Sequence, residues 1–310
     1  IVNSSNTPII VNGTKQFEGT FVLNSGVGGS NTGSLSLTAG SIVHAAEVII
    51  NGAISNGASQ AGGILHAGDN SARDNPGQRF TENRITLNSG SLHANGQRLR
   101  NESIGTIVED TVAVVDFNSG YSLLNTGTGG DSGGTRLNIT ELERSFGATA
   151  YVRGSTLANT AHILVGNSAS FLKGAGGIEG TTTMSIIPWI GSNDTTAATA
   201  LPSGFAVYGA NGIRPLASIE YATSITAGAD HNVSVDGFDM VAEPAAVNSL
   251  RYTDNAVSNI GFDQTLTVAS GGVFFTDNNG GIGVDGDFNA GTLRFGLSGE
   301  DTEGVVWSNA

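Results

Sequence analysis

The sequence contains no cysteine among its 310 residues, which excludes disulfide bonds and thiolate metal sites. Positive charge is also scarce, because 13 Lys and Arg stand against 27 Asp and Glu, and the only lysines are Lys15 and Lys173. Without a basic patch the chain cannot displace phosphate counterions, which argues against nucleic acid and anionic membrane surfaces as partners. No apolar run reaches the roughly 18 residues of a membrane helix, so we expect no membrane insertion.

Proline is rare as well, with 6 residues, whereas glycine is abundant, with 46. Glycine costs backbone entropy inside a helix, so this composition disfavours a mostly helical protein. The glycines show no Gly-X-Y period, which excludes collagen. One segment, 41–50, has the composition of a short helix, but its β-branched residues favour a strand equally.

A short phrase recurs along the chain: apolar and polar residues alternate, a small residue and a glycine follow, and the alternation resumes. Alternation places the apolar side chains on one face of a strand, and the glycine step provides the positive φ of a corner. We therefore expect Gly40, Gly90, Gly120 and Gly271 at corners between consecutive strands. The copies are Phe21–Gly26, Leu35–Ile42, Ile85–Leu92, Val115–Leu123 and Leu266–Phe274.

Repeated strands with glycine corners predict an all-β protein, built as a parallel β-helix or solenoid with an interior of Leu, Ile, Val and Phe. The copies are unevenly spaced, so irregular loops must separate them. Loop composition is found at 56–78, 125–134 and 192–203. A β-sandwich, which also consists of many short strands, is the alternative. We expect an N-terminal β-repeat region with Gly/Asn-rich loops at 1–136 and a second repeat region at 137–310, or one continuous solenoid.

The second region contains a series of short phrases in a characteristic order. They are Glu141–Gly154, Gly176–Ile178, Ile187–Ile190, Gly204–Tyr208, Gly212–Leu216, Ala246–Tyr252, Gln264–Gly272 and Phe288–Phe295. This succession resembles the autotransporter-associated β-strand repeat proteins, which are large exported surface proteins of bacteria. The resemblance implies an extracellular or cell-surface location and a right-handed β-helix without catalytic residues. The family's short Gly-rich unit with a lysine near its start is not recognisable here, so the chain corresponds to a spacer between such units.

One glycine-rich segment, Gly280–Asp285, is similar to half of a calcium-binding nonapeptide repeat. Neighbouring copies of that repeat share each cation, so a single copy offers half a site. The best metal candidates are Asp277, Asp285 and Asp287, and apart from calcium we expect no cofactor. The histidines show no i, i+2 or i, i+4 pair, so they give no support to a histidine metal site. They are His44, His66, His93, His162 and His231.

Two features suggest catalysis, but turn chemistry and solvated strand faces explain them better. Gly130–Gly134 matches the nucleophile phrase of trypsin-like proteases, yet His162 follows the serine, whereas that family needs His, Asp and Ser in this order. Glycan-cleaving β-helix enzymes gather carboxylates on one strand face. Asp110 and Asp116 are even-spaced and could share a face, but no cationic partner lies nearby in sequence. The candidate sets are Glu109, Asp110 and Asp116, and Asp236, Asp239 and Glu243. We assign no catalytic or cofactor-binding residue.

Both ends of the sequence have strand-like composition without a cap. The N-terminal stretch is apolar and uncharged, with Pro8 as its one strand breaker, and the chain begins at Ile1, which we take for a processed product or a segment of a longer chain. Exposed strand edges template further strands, so we expect these ends to pair head to tail with other copies or with further repeats of the same chain. The candidate self-assembly residues are Ile1, Val2, Ile9, Ile10, Val11, Val305, Val306 and Trp307.

The predicted function is therefore that of a non-enzymatic extracellular structural or surface protein, which builds a fibre or filament by head-to-tail strand pairing. The alternative is a secreted carbohydrate-active β-helix enzyme or a glycan-binding adhesin, with surface glycans as partners. The two classes differ in whether the fold brings carboxylates together in a groove.

Overall fold

A computed structural model gives the fold of the chain. It describes residues 2–3, 9–11, 14–16, 19–24, 34–37, 42–55, 59–62, 64–67, 83–97, 107–129, 133–195, 197, 200–277, 280–284 and 291–309. Regular structure in these residues is β, apart from two 3-10 helices at Ser168–Ser170 and Ser218–Glu220. The protein is thus all-β with mainly parallel sheets, as the sequence predicts.

The chain forms two compact units. Unit 1 comprises 1–168, 193–201 and 210–213, and unit 2 comprises 169–192, 202–209 and 214–310. The boundary expected from the sequence, between 136 and 137, falls inside the strand Gly134–Arg144 of unit 1.

Unit 1 consists of short strands that pair mostly in parallel. Its strands are β1 (Val2–Asn3), β2 (Ile9–Val11), β3 (Thr14–Gln16), β4 (Thr20–Asn24), β5 (Ser34–Leu37), β6 (Ile42–His44), β7 (Glu47–Ser55), β8 (Ser59–Gly62), β9 (Ile64–Ala67), β10 (Arg84–Asn88), β11 (Ser91–Gln97), β12 (Ile107–Ser119), β13 (Tyr121–Gly129), β14 (Gly134–Arg144), β15 (Thr149–Gly154) and β16 (Ala161–Val165). Sheet 1 has the order β1-β4-β7-β10-β12-β14-β16 with β8 antiparallel to β7, and the strands that unit 1 contributes to sheet 2 have the order β2-β5-β9-β11-β13-β15. Strands β3 and β6 pair with each other, and the other strands mostly alternate between the two parallel sheets.

The remaining strands lie mainly in unit 2, where pairing is mostly parallel with one antiparallel pair. They are β17 (Ile186–Asn193), β18 (Gly204–Gly209), β19 (Gly212–Pro215), β20 (Gly228–Val235), β21 (Phe238–Val241), β22 (Ala245–Tyr252), β23 (Val257–Ile260), β24 (Thr265–Phe275), β25 (Gly281–Val284), β26 (Thr292–Phe295) and β27 (Val305–Ser308). Sheet 3 has the order β20-β22-β24-β26 with β27 also on β24, and sheet 4 has the order β21-β23-β25. Parallel pairing does not fit the alternative sandwich, whose sheets are antiparallel.

The glycine corners of unit 1 lie where the sequence places them. Gly90 lies between β10 and β11, and Gly120 lies between β12 and β13 with a φ of 68°. At the first corner the left-handed residue is Ser89, with a φ of 55°. Gly90 is needed there for space, because an added Cβ would lie 2.5 Å from the carbonyl oxygen of Ile50.

Other expectations differ from the structure. Gly271 lies inside β24 and not between two strands, at a shift of register between β22 and β24. Segment 41–50 contributes to strands β6 and β7 and contains no helix in its described residues, since β-branched side chains pack well on a pleated surface. Residues 125–129, expected in a loop, continue β13 because their pairing with β11 extends to Gly129. Gly40 lies outside the described residues.

The interior consists of aligned rows of aliphatic and aromatic side chains, as predicted. In sheet 1 one inward row joins adjacent strands from β4 to β12, with exposures of 1% or less. It contains Leu23, Ile50, Leu87 and Phe117. In unit 2 a corresponding row on β20, β22 and β24 contains Val233, Leu250 and Val273. Burial of such rows is the main stabilising contribution in a stacked β fold.

Candidate functional site

A ladder of asparagine side chains connects successive strands of sheet 1. The Nδ2 of Asn51 donates to Oδ1 of Asn24, Asn88 donates to Asn51, and Asn118 donates to Asn88, each at 2.8 Å. The Oγ of Ser145 continues the ladder with a 3.3 Å bond to Asn118. Consecutive asparagines are 27, 37 and 30 residues apart in sequence. Every amide donates toward the N-terminal side of the stack, so the ladder is directional.

The signal for this ladder was present in the repeated phrase. An apolar residue, Asn, Ser and Gly occur in this order at Leu23–Gly26, Leu87–Gly90 and Phe117–Gly120. Asn51 is followed directly by Gly52 and so does not match the phrase. By itself the phrase predicts only a corner, because the asparagine's partner lies on a neighbouring strand that the register brings close.

One arginine of sheet 1 holds several carboxylates on neighbouring strands. The Nη2 of Arg84, on β10, donates to Asp116 on β12 at 2.7 Å and also to Glu143 on β14. Its Nε lies 3.9 Å from Glu47 on β7, and Glu47 accepts a 2.8 Å bond from Thr86. The cluster therefore joins four adjacent strands by charge.

This cluster corrects two expectations about the carboxylates. Asp116 does have a cationic partner, Arg84, which the parallel register brings from 32 residues away. Asp110 and Asp116 do not share a face, because the inward alternation of β12 changes phase between them: Asp110 is fully buried between Val108 and Val112. The hydrogen bond from Arg84 holds the pKa of Glu143 below its usual range. A general acid needs the opposite shift.

The other carboxylate candidates lie apart from this cluster. Glu109 accepts a 2.6 Å bond from Asn138 and lies 3.7 Å from Arg136 on an exposed face. In unit 2 Asp239 lies within β21, whereas Asp236 and Glu243 are exposed beyond its two ends. Even spacing along the chain therefore does not gather these groups.

A buried polar column runs across the strands of sheet 2. His93, Asn125 and Arg153 occupy one row on β11, β13 and β15, and each is 7% exposed or less. The Nε of Arg153 donates to Oδ1 of Asn125 at 3.1 Å, and Nδ2 of Asn125 lies 3.3 Å from Nδ1 of His93. The amide can only donate there, so His93 accepts at Nδ1. His66 on β9 is the register partner of His93, an alignment that sequence spacing does not show.

The polar column anchors a segment that follows β17. Arg153 donates from Nη1 to the carbonyl oxygen of Ala197 at 3.0 Å, and the hydroxyl of Tyr151 donates to that of Ala200 at 2.9 Å. Burial raises the pKa of Tyr151 to about 12 and lowers that of Arg153. These side chains fix the segment that contains Ala197 and Ala200 to strand β15, which is a structural role.

A buried ion pair performs a similar task in unit 2. Arg214 donates to both carboxylate oxygens of Glu220, at 2.7 and 2.6 Å, and Glu220 also accepts the main-chain N–H groups of Gly180 and Ala217 at 2.8 Å. The carboxylate side chain is 1% exposed. Burial would raise the pKa of Glu220, but the hydrogen bonds from Arg214 and the main chain outweigh it and lower this pKa.

Two internal sheet edges are closed by groups other than strands. In unit 1 the side chain of Asn167 bonds the main chain of Leu142 on β14, at 2.9 and 3.0 Å. In unit 2 the main chain of Asn232 on β20 donates to Thr182 and accepts from Ala222, both at 2.7 Å. Such contacts satisfy main-chain groups that would otherwise template a further strand.

The outermost strands pair with another strand on one side only in the described part of the chain. At the N-terminal side β1 pairs with β4 alone and β2 with β5 alone; these strands contain Val2 and Ile9, Ile10 and Val11, and Ile1 lies outside the described residues. In unit 2 β25 pairs with β23 alone, and β26 and β27 each pair with β24 alone among the described strands. These are the edges at which strand pairing could continue.

The C-terminal assembly candidates are partly core residues. Val305 and Trp307 are 7% and 8% exposed, and Trp307 stacks on Phe274 with ring centroids 6.0 Å apart. The indole Nε1 donates to the carbonyl oxygen of Pro188 at 2.9 Å. Val306 points away and is 58% exposed. A contact with another strand at β27 would therefore involve its main chain and Val306.

The described residues of the calcium and protease motifs form no metal site or catalytic site. The carboxylate of Asp277 accepts main-chain N–H groups of Asn255 at 3.0 Å and Gly280 at 3.1 Å, which is turn chemistry. Asp285, Asp287 and the serine of the protease phrase lie outside the described residues. Within the described residues no three His, Cys, Asp or Glu side chains form a group that could hold a metal ion.

Comparisons give this chain no relative: no protein family, curated protein or solved structure matches it. The resemblance to autotransporter-associated β-strand repeats therefore stays a prediction. None of the described residues belongs to a helix long and apolar enough to cross a membrane.

Proposed function

We propose that this chain is a stretch of right-handed parallel β-solenoid in a non-enzymatic extracellular or cell-surface structural protein. Its terminal strands pair head to tail, with other copies or with further repeats of the same chain, to give a fibre. The resemblance to exported bacterial surface proteins supports the location and the handedness.

The solenoid part of the proposal is supported by how strands pair. In unit 1 most consecutive strands alternate between sheets 1 and 2, and most strands of these sheets pair in parallel with the strands before and after them in the same sheet. The asparagine ladder adds one rung for each layer, with rungs 27 to 37 residues apart. A chain that winds in layers of this length produces both features.

The contrast between capped and uncapped edges carries the assembly proposal. The internal edges at Leu142 and Asn232 are closed by a side chain or by short main-chain contacts. The outermost strands β1, β2 and β25 to β27 have one partner each in the described part of the chain. An uncapped parallel strand pairs readily with another strand, so the outer edges are suited to continuation.

The charged groups of sheet 1 also favour a structural role. Arg84, Asp116 and Glu143 are engaged with one another across strands, and the lowered pKa of Glu143 keeps it ionised. A glycosidase instead needs one carboxyl group with a raised pKa beside a second carboxylate. The arrangement is that of a cross-strand clamp.

The experiment is to measure assembly of the intact chain and of edge variants by light scattering and electron microscopy. We expect fibres that lengthen with concentration, and we expect their loss on deletion of residues 1–11 or in Val306→Lys, because an edge charge opposes strand pairing. Ile178→Lys is the matched control, since Ile178 is 78% exposed and belongs to no strand. Fibres that persist in both edge variants, or an intact chain that stays monomeric, contradict assembly through these edges.

A further inference from the structure

Unit 2 contains a groove of about 510 Å³ that crosses the parallel strands β20, β22 and β24. Its polar lining consists of Lys173, Asp230, Asn248, Ser270, Glu300, Asp301 and Thr302. The groove follows the positions where these strands change register, between Val247 and Ser249 on β22 and between Val268 and Gly272 on β24. Its volume falls within the range of about 300–1,000 Å³ typical of small-ligand sites.

The floor of the groove contains a buried amide with an unused acceptor. Asn248 is 1% exposed, and its Nδ2 donates to Oδ1 of Asn232 at 2.8 Å and to the carbonyl oxygen of Lys173 at 3.4 Å. The main-chain carbonyl oxygen of Asn248 accepts a 2.6 Å hydrogen bond from the hydroxyl of Ser270. Both amide protons are thus used, whereas Oδ1 accepts no hydrogen bond from the described residues. Asn248 lines the groove, so a donor that enters the groove can hydrogen-bond this oxygen.

The walls add further acceptors with negative charge. The carboxylates of Asp230, Glu300 and Asp301 are exposed and make no hydrogen bond or ion pair with the described residues. Lys173 is the one cation of the lining. The groove therefore presents an excess of acceptors and a net negative charge to whatever enters it, which selects a positively charged ligand rich in donors.

We propose that this groove binds an amino sugar with a free amine, as a residue of a short oligosaccharide. The ammonium group would lie against the carboxylates, and ring hydroxyls would donate to Oδ1 of Asn248 and to the remaining acceptors. Sugar hydroxyls suit a floor of fixed amide and hydroxyl groups, because each can donate and accept. Acidic polysaccharides are repelled by the same charges. The site does not depend on the filament proposal.

Lys173 gives the proposal a sharp test. Its exposed ammonium lines the groove and opposes a cationic ligand, while only its main-chain oxygen accepts from Asn248. Lys173→Met keeps that oxygen and removes the charge. It is expected to tighten binding, which a misfolded variant cannot do.

The experiment is calorimetric titration of the intact chain with a β-1,4-linked glucosamine trisaccharide. The comparison ligands are the N-acetylated trisaccharide, which lacks the charge, and spermidine, which lacks the hydroxyls. We expect the glucosamine trisaccharide to bind at least about tenfold more tightly than either, and more weakly as salt rises. The double variant Glu300→Gln, Asp301→Asn should weaken it by about tenfold, whereas Glu243→Gln with Asp254→Asn, which removes two exposed acids elsewhere in unit 2, should not.

Three results would overturn the assignment. They are absence of binding in the intact chain, equal binding of the N-acetylated sugar or of spermidine, and unchanged affinity in both Lys173→Met and the double acid variant. The two proposals are kept separate by measuring both light scattering and sugar binding on each variant. The edge variants should alter assembly without altering sugar binding, and the groove variants should alter sugar binding without altering assembly.

Discussion

The side-chain amide of Asn167 closes the edge of β14 by pairing with the main chain of Leu142. The N–H of Leu142 donates to Oδ1 of Asn167 at 2.9 Å, and Nδ2 of Asn167 donates to the carbonyl oxygen of Leu142 at 3.0 Å. Strand β16 pairs with β14 only from Thr135 to Ile139. One carboxamide thus does for Leu142 what a neighbouring strand does for the residues before it.

Replacing this amide should destabilise unit 1. Asn167→Leu leaves the N–H and C=O of Leu142 without these partners, and we expect a loss of about 1–3 kcal/mol in the free energy of unfolding. Asn167→Asp keeps the acceptor and loses the donor, so its loss should be smaller. Urea denaturation of the three proteins measures both effects, and equal stability of Asn167→Leu and the parent would show that the amide is not a cap.

The asparagine ladder should be most sensitive at its middle. Asn88 donates to Asn51 and accepts from Asn118 and Ser119, so Asn88→Ala removes three side-chain hydrogen bonds. At about 0.5–1.5 kcal/mol for each bond, the expected loss is about 2–4 kcal/mol. Asn118→Ala removes an exposed rung and should lower the free energy of unfolding by less than Asn88→Ala does. Thermal unfolding of both variants tests the ranking, and a larger effect at Asn118 would argue against it.

Gly90 should tolerate no side chain, for reasons of space. In Gly90→Ala the new Cβ would lie 2.5 Å from the oxygen and 2.6 Å from Cγ2 of Ile50, so a packed layer must move. We expect a loss of about 1–3 kcal/mol in unfolding free energy. Gly19→Ala is the matched control, because its Cβ meets no atom within 4 Å. Similar stabilities of the two variants in denaturant would contradict the close approach.

The buried pair of Arg214 and Glu220 should make unit 2 sensitive to acid. Folding lowers the pKa of Glu220. The ionised carboxylate therefore contributes its full stabilisation of the folded state above the unfolded pKa of about 4.3. This stabilisation is lost as the pH falls through the lower pKa of the folded state. Glu220→Gln should cost about 3–5 kcal/mol at neutral pH, since it leaves Arg214 without its buried partner.

The measurement is unfolding free energy against pH, from neutrality to below pH 4, for the parent and for Glu220→Gln. The parent should lose stability on acidification, and the variant should lack that part of the loss. Glu243→Gln, at an exposed carboxylate, should retain the slope of the parent. A parent curve that stays flat through this range would show that the pair does not stabilise the fold.

The all-β class and the corner positions of Gly90 and Gly120 could be predicted from local alternation, because that pattern depends on neighbours in sequence. The buried column of His93, Asn125 and Arg153 could not. Its partners are 32 and 28 residues apart, and this distance changes from layer to layer with the loops.

Local alternation also fails to predict which side chains share a face where the inward alternation changes phase within a strand. Asp110 and Asp116 have the spacing of residues on one strand face, yet a change of phase within β12 places them on different sides. The cap at Asn167 depends on where β16 ends, which is a property of the stack and not of the residues around Asn167. Sequence therefore predicts which segments form strands, and register decides which side chains meet.

The directional ladder of sheet 1 has a mechanical consequence. Hydrogen bonds between stacked strands, including those from Asn51 to Asn24 and from Asn88 to Asn51, point along the stack. In the proposed solenoid a pull in that direction would load the layers in series, so we expect the outermost layer to detach first while the others stay closed. With rungs 27 and 37 residues apart, each released layer lengthens the chain by roughly 90–130 Å at about 3.3–3.6 Å for each extended residue. Under tension the proposed solenoid would act as an extensible tether that yields one layer at a time.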